Sequence, residues 1–254
     1  MKIIVLALLC VTGISGLASF ANAQENPPKY LRILALGERF PWKGQLKNGV
    51  IVGQKPPKGA EPPKDTALVS GDQAVPFQLG LRTFTDVLTI AGSTKKLILR
   101  SGEKDAQTTW FSSPKPKASL SLAVLSPDPA TMLWNNPRML LLDDGPQSFK
   151  PGEIRFVNIT DKAVLVKLGK AGTFKLSPGK TITKSIQVGA TPALLGYMNG
   201  KTPTSIWENE IKVLSNQRVQ CFFYKVRKPN QREEILSKIV QELVPQLPKP
   251  PKSE

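Results

Sequence analysis

Residues 149–188 read FKPGEIRFVNITDKAVLVKLGKAGTFKLSPGKTITKSIQV, and this stretch decides the fold class. Ile154 and Phe156 flank Arg155, while Val164, Val166 and Leu168 share a face that Lys167 leaves. Phe174 with Leu176, and then Ile182, Ile186 and Val188, repeat the pattern. Alternation with period two is the mark of strands with one apolar face, and Pro-Gly, Thr-Asp-Lys, Lys-Ala-Gly and Ser-Pro-Gly supply the turns between them. The expectation is an antiparallel sheet with one wet face, as in a sandwich.

The pattern continues through Ala193–Met198, an Asn199-Gly200 turn, Ser205–Leu214 and Arg218–Val226, the last apolar on both faces. Upstream, strands are expected at Tyr30–Leu36, Thr66–Ser70, Val75–Leu81, Asp86–Ile90, Lys95–Arg100, Thr108–Phe111 and Leu120–Leu125. The fold class read from these runs is mainly β: one or two antiparallel sandwich modules, immunoglobulin-like, plus one C-terminal amphipathic helix. A soft boundary falls near residue 130, giving an N-terminal module over 24–130 and a second over 131–228 that begins with Arg138–Leu142. Helix 229–244 rests on Asn230 and Glu233 as a capping box and on the stripe Ile235, Leu236, Ile239, Val240 and Leu243. That stripe offers either a partner-docking face or a cover for the sandwich. Residues 245–254 form a Pro/Lys-rich tail expected to be disordered.

Met1–Ala23 combines Lys2, an apolar run from Ile3 and an Ala21-Asn22-Ala23 cleavage site, the pattern of a secretory signal cut after Ala23. Removing residues 1–23 from the 254 leaves 231 and takes away one charge, Lys2, from the formal +16. No membrane span is expected after that cut, and the destination is the periplasm or the outside of the cell. Cys10 leaves with the leader, so Cys221 remains alone, expected as a buried thiol with no disulfide partner. Histidine is absent. Ser-His-Asp and Cys-His machinery and His-ligated zinc or copper are therefore excluded, and no cofactor, metal or catalytic set is expected.

Candidate chemistry without histidine is limited. Ser-x-x-Lys occurs at Ser93–Lys96, Ser101–Lys104, Ser112–Lys115 and Ser177–Lys180, all in expected turns and none at a helix start. Glu208 and Glu210 share a strand face beside Lys212, and Asp143-Asp144 precedes Gly-Pro as a turn. Trp42, Trp110, Trp134 and Trp207 are possible sugar platforms if two of them are exposed together. The remaining signal is charge, with a pI near 9.9 that attracts polyanions. Export argues against nucleic acid, and the lysines lack aromatic interleaving. An anionic envelope component or an acidic protein is the expected partner, met by loop lysines Lys55, Lys58 and Lys64 and tail lysines Lys249 and Lys252. Lys55–Lys64, with two Pro-Pro pairs, reads as a stiff loop crossing between sheets or as an extended docking segment.

The succession PGEIRFVN, polar turn, AVLVKLG, FKLSPGKT resembles immunoglobulin-like sandwich domains of bacterial secreted proteins over Arg138–Val226. The resemblance implies a fold class and no activity. Three functions follow in order: a non-catalytic envelope binding or adaptor protein, a carbohydrate-binding module, and a hydrolase using carboxylates or Ser-Lys.

Overall fold

A computed structural model describes residues 26–41, 44–53, 55–102, 107–227 and 234–248. The expected leader 1–23, Asn230 and Glu233 of the capping box, and Lys249 and Lys252 lie outside these residues, as do Trp42 and Lys104. The described chain holds eighteen strands. They are β1 Lys29–Ala35, β2 Gly44–Lys47, β3 Val50–Gly53, β4 Asp65–Ser70, β5 Gln73–Gln78, β6 Leu88–Ile90, β7 Lys96–Ser101, β8 Thr108–Pro114, β9 Leu120–Ser126 and β10 Arg138–Asp143. After these come β11 Glu153–Asn158, β12 Val164–Leu168, β13 Gly172–Leu176, β14 Thr181–Ser185, β15 Gly189–Asn199, β16 Thr202–Val213, β17 Gln217–Lys225 and β18 Ile235–Leu243.

Four four-stranded sheets are stacked in series. The outer sheet β5-β4-β7-β8 packs on β10-β9-β1-β6 around Leu31, Ile33, Leu68, Leu97, Leu99, Leu125 and Trp134. The outer sheet β13-β12-β15-β16 packs on β14-β11-β17-β18 around Phe156, Val166, Leu195, Val219, Cys221 and Phe223. The two inner sheets then meet back to back, burying Leu34, Leu36, Leu122, Val124 and Leu142 against Val157, Phe222 and Tyr224. Apart from the edge strands β6 and β14, strands of the inner sheets have both faces covered, which is why YLRILAL, RMLLL and VQCFFY are apolar runs. The apolar face pattern therefore locates Arg155 differently from the expected wet face: it is buried between the sandwiches. Arg138–Leu142, read as opening the second module, pairs as β10 with β9 in the first inner sheet.

The two sandwiches share one wiring. Replacing β1, β4, β5, β6, β7, β8, β9 and β10 by β11 to β18 in order converts the first pair of sheets into the second. The parallel pairs coincide, β1 with β9 and β11 with β17. So do the bulges, at Leu99/Arg100 between β7 and β8 and at Leu195/Gly196 between β15 and β16. The module is thus repeated, and among the described residues the β2–β3 hairpin is the one strand pair of the first sandwich with no counterpart in the second.

The C-terminal helix is corrected: Ile235–Leu243 is strand β18, paired antiparallel with β17 from Lys225↔Ile235 to Gln217↔Leu243. Spacing i, i+1, i+4, i+5 fits a helix stripe, but it also fits a strand whose two faces are both buried. Ile235 and Ile239 enter the second sandwich core, and Leu236 and Val240 pack between the sandwiches. Leu243 is 60% exposed, so the five residues form no single docking face. β-Branched Ile and Val and the otherwise open edge of β17 favour the strand.

Candidate interaction surface

The largest group of ionisable side chains lies where the inner sheets meet. Arg32 of β1 and Arg155 of β11 occupy equivalent places in the two sandwiches, within Leu31-Arg32-Ile33-Leu34 and Ile154-Arg155-Phe156-Val157. Asp144 and Glu242 are equivalent too, each two residues beyond the partner (Leu142, Val240) of the residue (Leu122, Gln220) that pairs with Arg32 or Arg155. Arg32 Nη2 lies 2.6 Å from Asp144 Oδ2, and Arg32 Nη1 lies 2.7 Å from Glu242 Oε2. Arg218 Nη2 is 2.9 Å from both Asp144 Oδ1 and Glu242 Oε1, and Arg155 Nη1 is 3.5 Å from Asp144 Oδ1. The Phe149 ring sits beneath the Arg155 and Arg218 guanidinium groups, at 4.0 and 4.7 Å. Arg218 and Asp144 are fully buried. The cluster clasps one sandwich to the other, with Arg218 and Asp144 sealed from solvent and Glu242 only 12% exposed.

Burial pushes the Glu242 carboxyl up, but the hydrogen bond from Arg32, its charge and that of Arg218, and the amide of Gln220 outweigh it and hold the group below the usual value of 4.5. A carboxyl depressed in the folded state stabilises above its unfolded pKa and loses that contribution as pH falls through the folded one. The urea midpoint is therefore expected to drop as pH is lowered from about 6 to about 3, with a shallower pH dependence in Glu242→Gln.

Cys221 is buried, and desolvation raises its thiol pKa far above the ordinary value. It is expected to resist a thiol-labelling reagent in the native protein and to react in urea, measured as the rate of colour release.

The predicted chemistry is dispersed. Lys115 Nζ donates to the carbonyls of Ala91 and Gly92 at 3.0 and 2.8 Å, so it staples a turn and pairs with no serine. Ser93, Lys96, Ser177 and Lys180 are exposed. Asp143 is the turn residue, accepting from Gly145 N at 3.0 Å and Ser148 Oγ at 2.5 Å. Glu208 and Glu210 border a hollow of about 330 Å³ beside Lys167 and Pro192. Trp134 is buried in the first core, and Trp110, half-buried, donates its Nε1 to the Trp134 carbonyl at 2.6 Å. Trp207 packs on the second core. Among the described residues no two indoles form an exposed platform, and no group of three or more Cys, Asp or Glu could hold a metal ion. No described helix is long and apolar enough to cross a membrane.

What the surface does present is the β2–β3 hairpin. Asn48 (φ 51°) and Gly49 (φ 77°) take the left-handed conformations of a type I′ turn. All eight strand residues are exposed, with Leu46 at 69%, Ile51 at 65% and Val50 at 64%. The base of the hairpin is held by both sandwiches. Gly59 accepts from Trp134 N at 2.6 Å, and Ala60 is buried. Arg227, two residues beyond β17, hydrogen-bonds the Ala60 carbonyl, stacks 5.3 Å over Phe40 and donates its N–H to Glu38. Of the predicted lysines, Lys55 and Lys58 are exposed on this anchored return loop. Lys64 lies farther along, with Arg100, at a broad groove of about 1250 Å³ along the β4–β5 edge.

No protein-family model and no curated protein matches the chain. Among solved structures it is similar to a crystal structure of a "putative cell adhesion protein" from Bacteroides eggerthii DSM 20697, at 9% identity and a TM-score of 0.23, covering 85% of this chain and 96% of that one.

Proposed function

We propose that this is a non-catalytic binding or adaptor protein of the bacterial cell envelope, which holds an anionic envelope component through its basic, projecting hairpin. One observation carries the reading: among the described residues the only strand pair added to a repeated scaffold is an exposed apolar hairpin, and in the sequence no acidic residue occurs from Phe40 to Ala60 while Lys43, Lys47, Lys55 and Lys58 do. Two strands with no core of their own are marginal in water. Four-layer packing supplies a rigid base, and the exposed apolar side chains supply a reason for a partner. Among the described residues the sugar-binding and hydrolase readings have no comparable convergence of groups.

The test is retention of the chain from Gln24 on envelope fractions at low and at physiological salt, beside Lys47→Glu/Lys55→Glu/Lys58→Glu. Retention by the wild type at physiological salt, with loss in the variant, is expected. Retention that disappears with salt and ignores the substitutions would reduce the charge to non-specific attraction.

A further inference from the structure

The hairpin carries apolar side chains on both of its faces. Cross-strand partners share a face, so Leu46 and Ile51 lie on one side, while Val50 and Val52 lie on the other with Lys47 and Gln45. Four of the eight exposed large aliphatic residues among the described ones are in these two short strands. A rigid protein groove would cover one face and leave the other apolar pair in water. A fluid amphipathic layer accommodates both. From Phe40 to Ala60 every charged residue is a lysine, with Lys47 next to the tip and Lys55 and Lys58 on the return loop, while Glu38 and Glu61 flank the stretch.

We infer, as a refinement resting on the envelope-binding reading above, that the β2–β3 hairpin inserts into the headgroup layer of an anionic phospholipid membrane. Leu46 and Ile51 turn toward the acyl chains, and Lys47 snorkels to the phosphates with Lys55 and Lys58 beside it. Among the described residues no third strand joins β2 and β3, which leaves amide groups along both edges. Those groups keep their hydrogen bonds only while water and headgroups surround them, so insertion stops at the headgroup boundary and does not span. The return loop is fixed to both sandwiches at Gly59 and Ala60, through Trp134 and Arg227.

Co-sedimentation of the chain from Gln24 with vesicles of phosphatidylglycerol and phosphatidylcholine, and of phosphatidylcholine alone, tests this. Starting at Gln24 removes the apolar residues 1–23 from the measurement. Binding to the anionic vesicles only is expected. Lys47→Gln weakens it about fivefold, since a lysine near an anionic surface contributes about 1 kcal/mol. Leu46→Asn/Ile51→Asn weakens it tenfold or more. Both variants retain the wild-type thermal midpoint, because the hairpin belongs to no core cluster. Vesicle binding unchanged in Leu46→Asn/Ile51→Asn overturns insertion, and so does an absence of vesicle binding. If envelope retention persists in either case, the envelope reading stands without the lipid. A wild-type dimer that becomes monomeric in Leu46→Asn/Ile51→Asn also overturns it, assigning the hairpin to a second copy of this chain.

Discussion

Asp144→Asn is expected to cost about 3–5 kcal/mol, a large part of the total stability of a domain. Three guanidinium groups, from β1, β11 and β17, converge on this one fully buried carboxylate. The five charged residues of the cluster already sum to one excess positive charge, and the substitution doubles the excess without admitting water. Breaking such a pair leaves uncompensated charge, which costs far more than the intact cluster contributes relative to an apolar core. Several of its atoms, Arg155 Nη1 and Gln220 Oε1 among them, already lack an aligned hydrogen bond. Urea unfolding should show a lower midpoint. Asp143→Asn, one residue earlier and confined to a turn, should cost less than about 1 kcal/mol. Equal small effects at the two positions would remove Asp144 from its role as the central counter-ion.

Ending the chain after Arg227 is expected to abolish cooperative folding. The cut removes β18, exposes the edge of β17 along nine register positions, opens both the second core and the inter-sandwich layer, and deletes Glu242 from beside Arg32 and Arg218. The shortened protein should aggregate or unfold without a sigmoidal transition. Single substitutions separate the strand from a helix stripe. Ile235→Ala, at 1% exposure, should cost about 2–5 kcal/mol. Leu243→Ala should stay within about 0.5 kcal/mol. A detachable docking helix would instead leave the truncated protein folded.

The outer strands were legible where one face is wet, as in Val164–Leu168, whose alternation survives around Lys167. In the inner sheets the second face is covered by the other sandwich, so alternation gives way to runs such as YLRILAL, in which Arg32 stands as a single polar residue. Such an interruption signals a buried partner, but the partner is 112 residues away in Asp144, and adjacency to Asp143 made it resemble half of a turn. β18 misleads for a related reason: two buried faces generate the spacing of a helical stripe, and only the open edge of β17 decides between them. The repeat is hidden because topology and pseudo-equivalent positions persist while side chains differ, Leu120 standing where the second sandwich has Arg218. The hairpin did carry a local signal, Asn48-Gly49 between QLK and VIV, obscured by the prolines and lysines around it. The exposure of its aliphatic residues is a tertiary property that no local pattern contains.

Hydrogen exchange of the chain from Gln24, alone and with native envelope membranes, tests the functional account most directly. In the free protein residues 44–53 should exchange rapidly while β1, β9, β11 and β17 remain protected. With membranes present, new protection should appear at 44–53 and extend to the return loop 55–60, leaving the sandwiches unchanged. Protection confined to the groove beside Lys64 and Arg100, or none at the hairpin while the protein is membrane-bound, would contradict it.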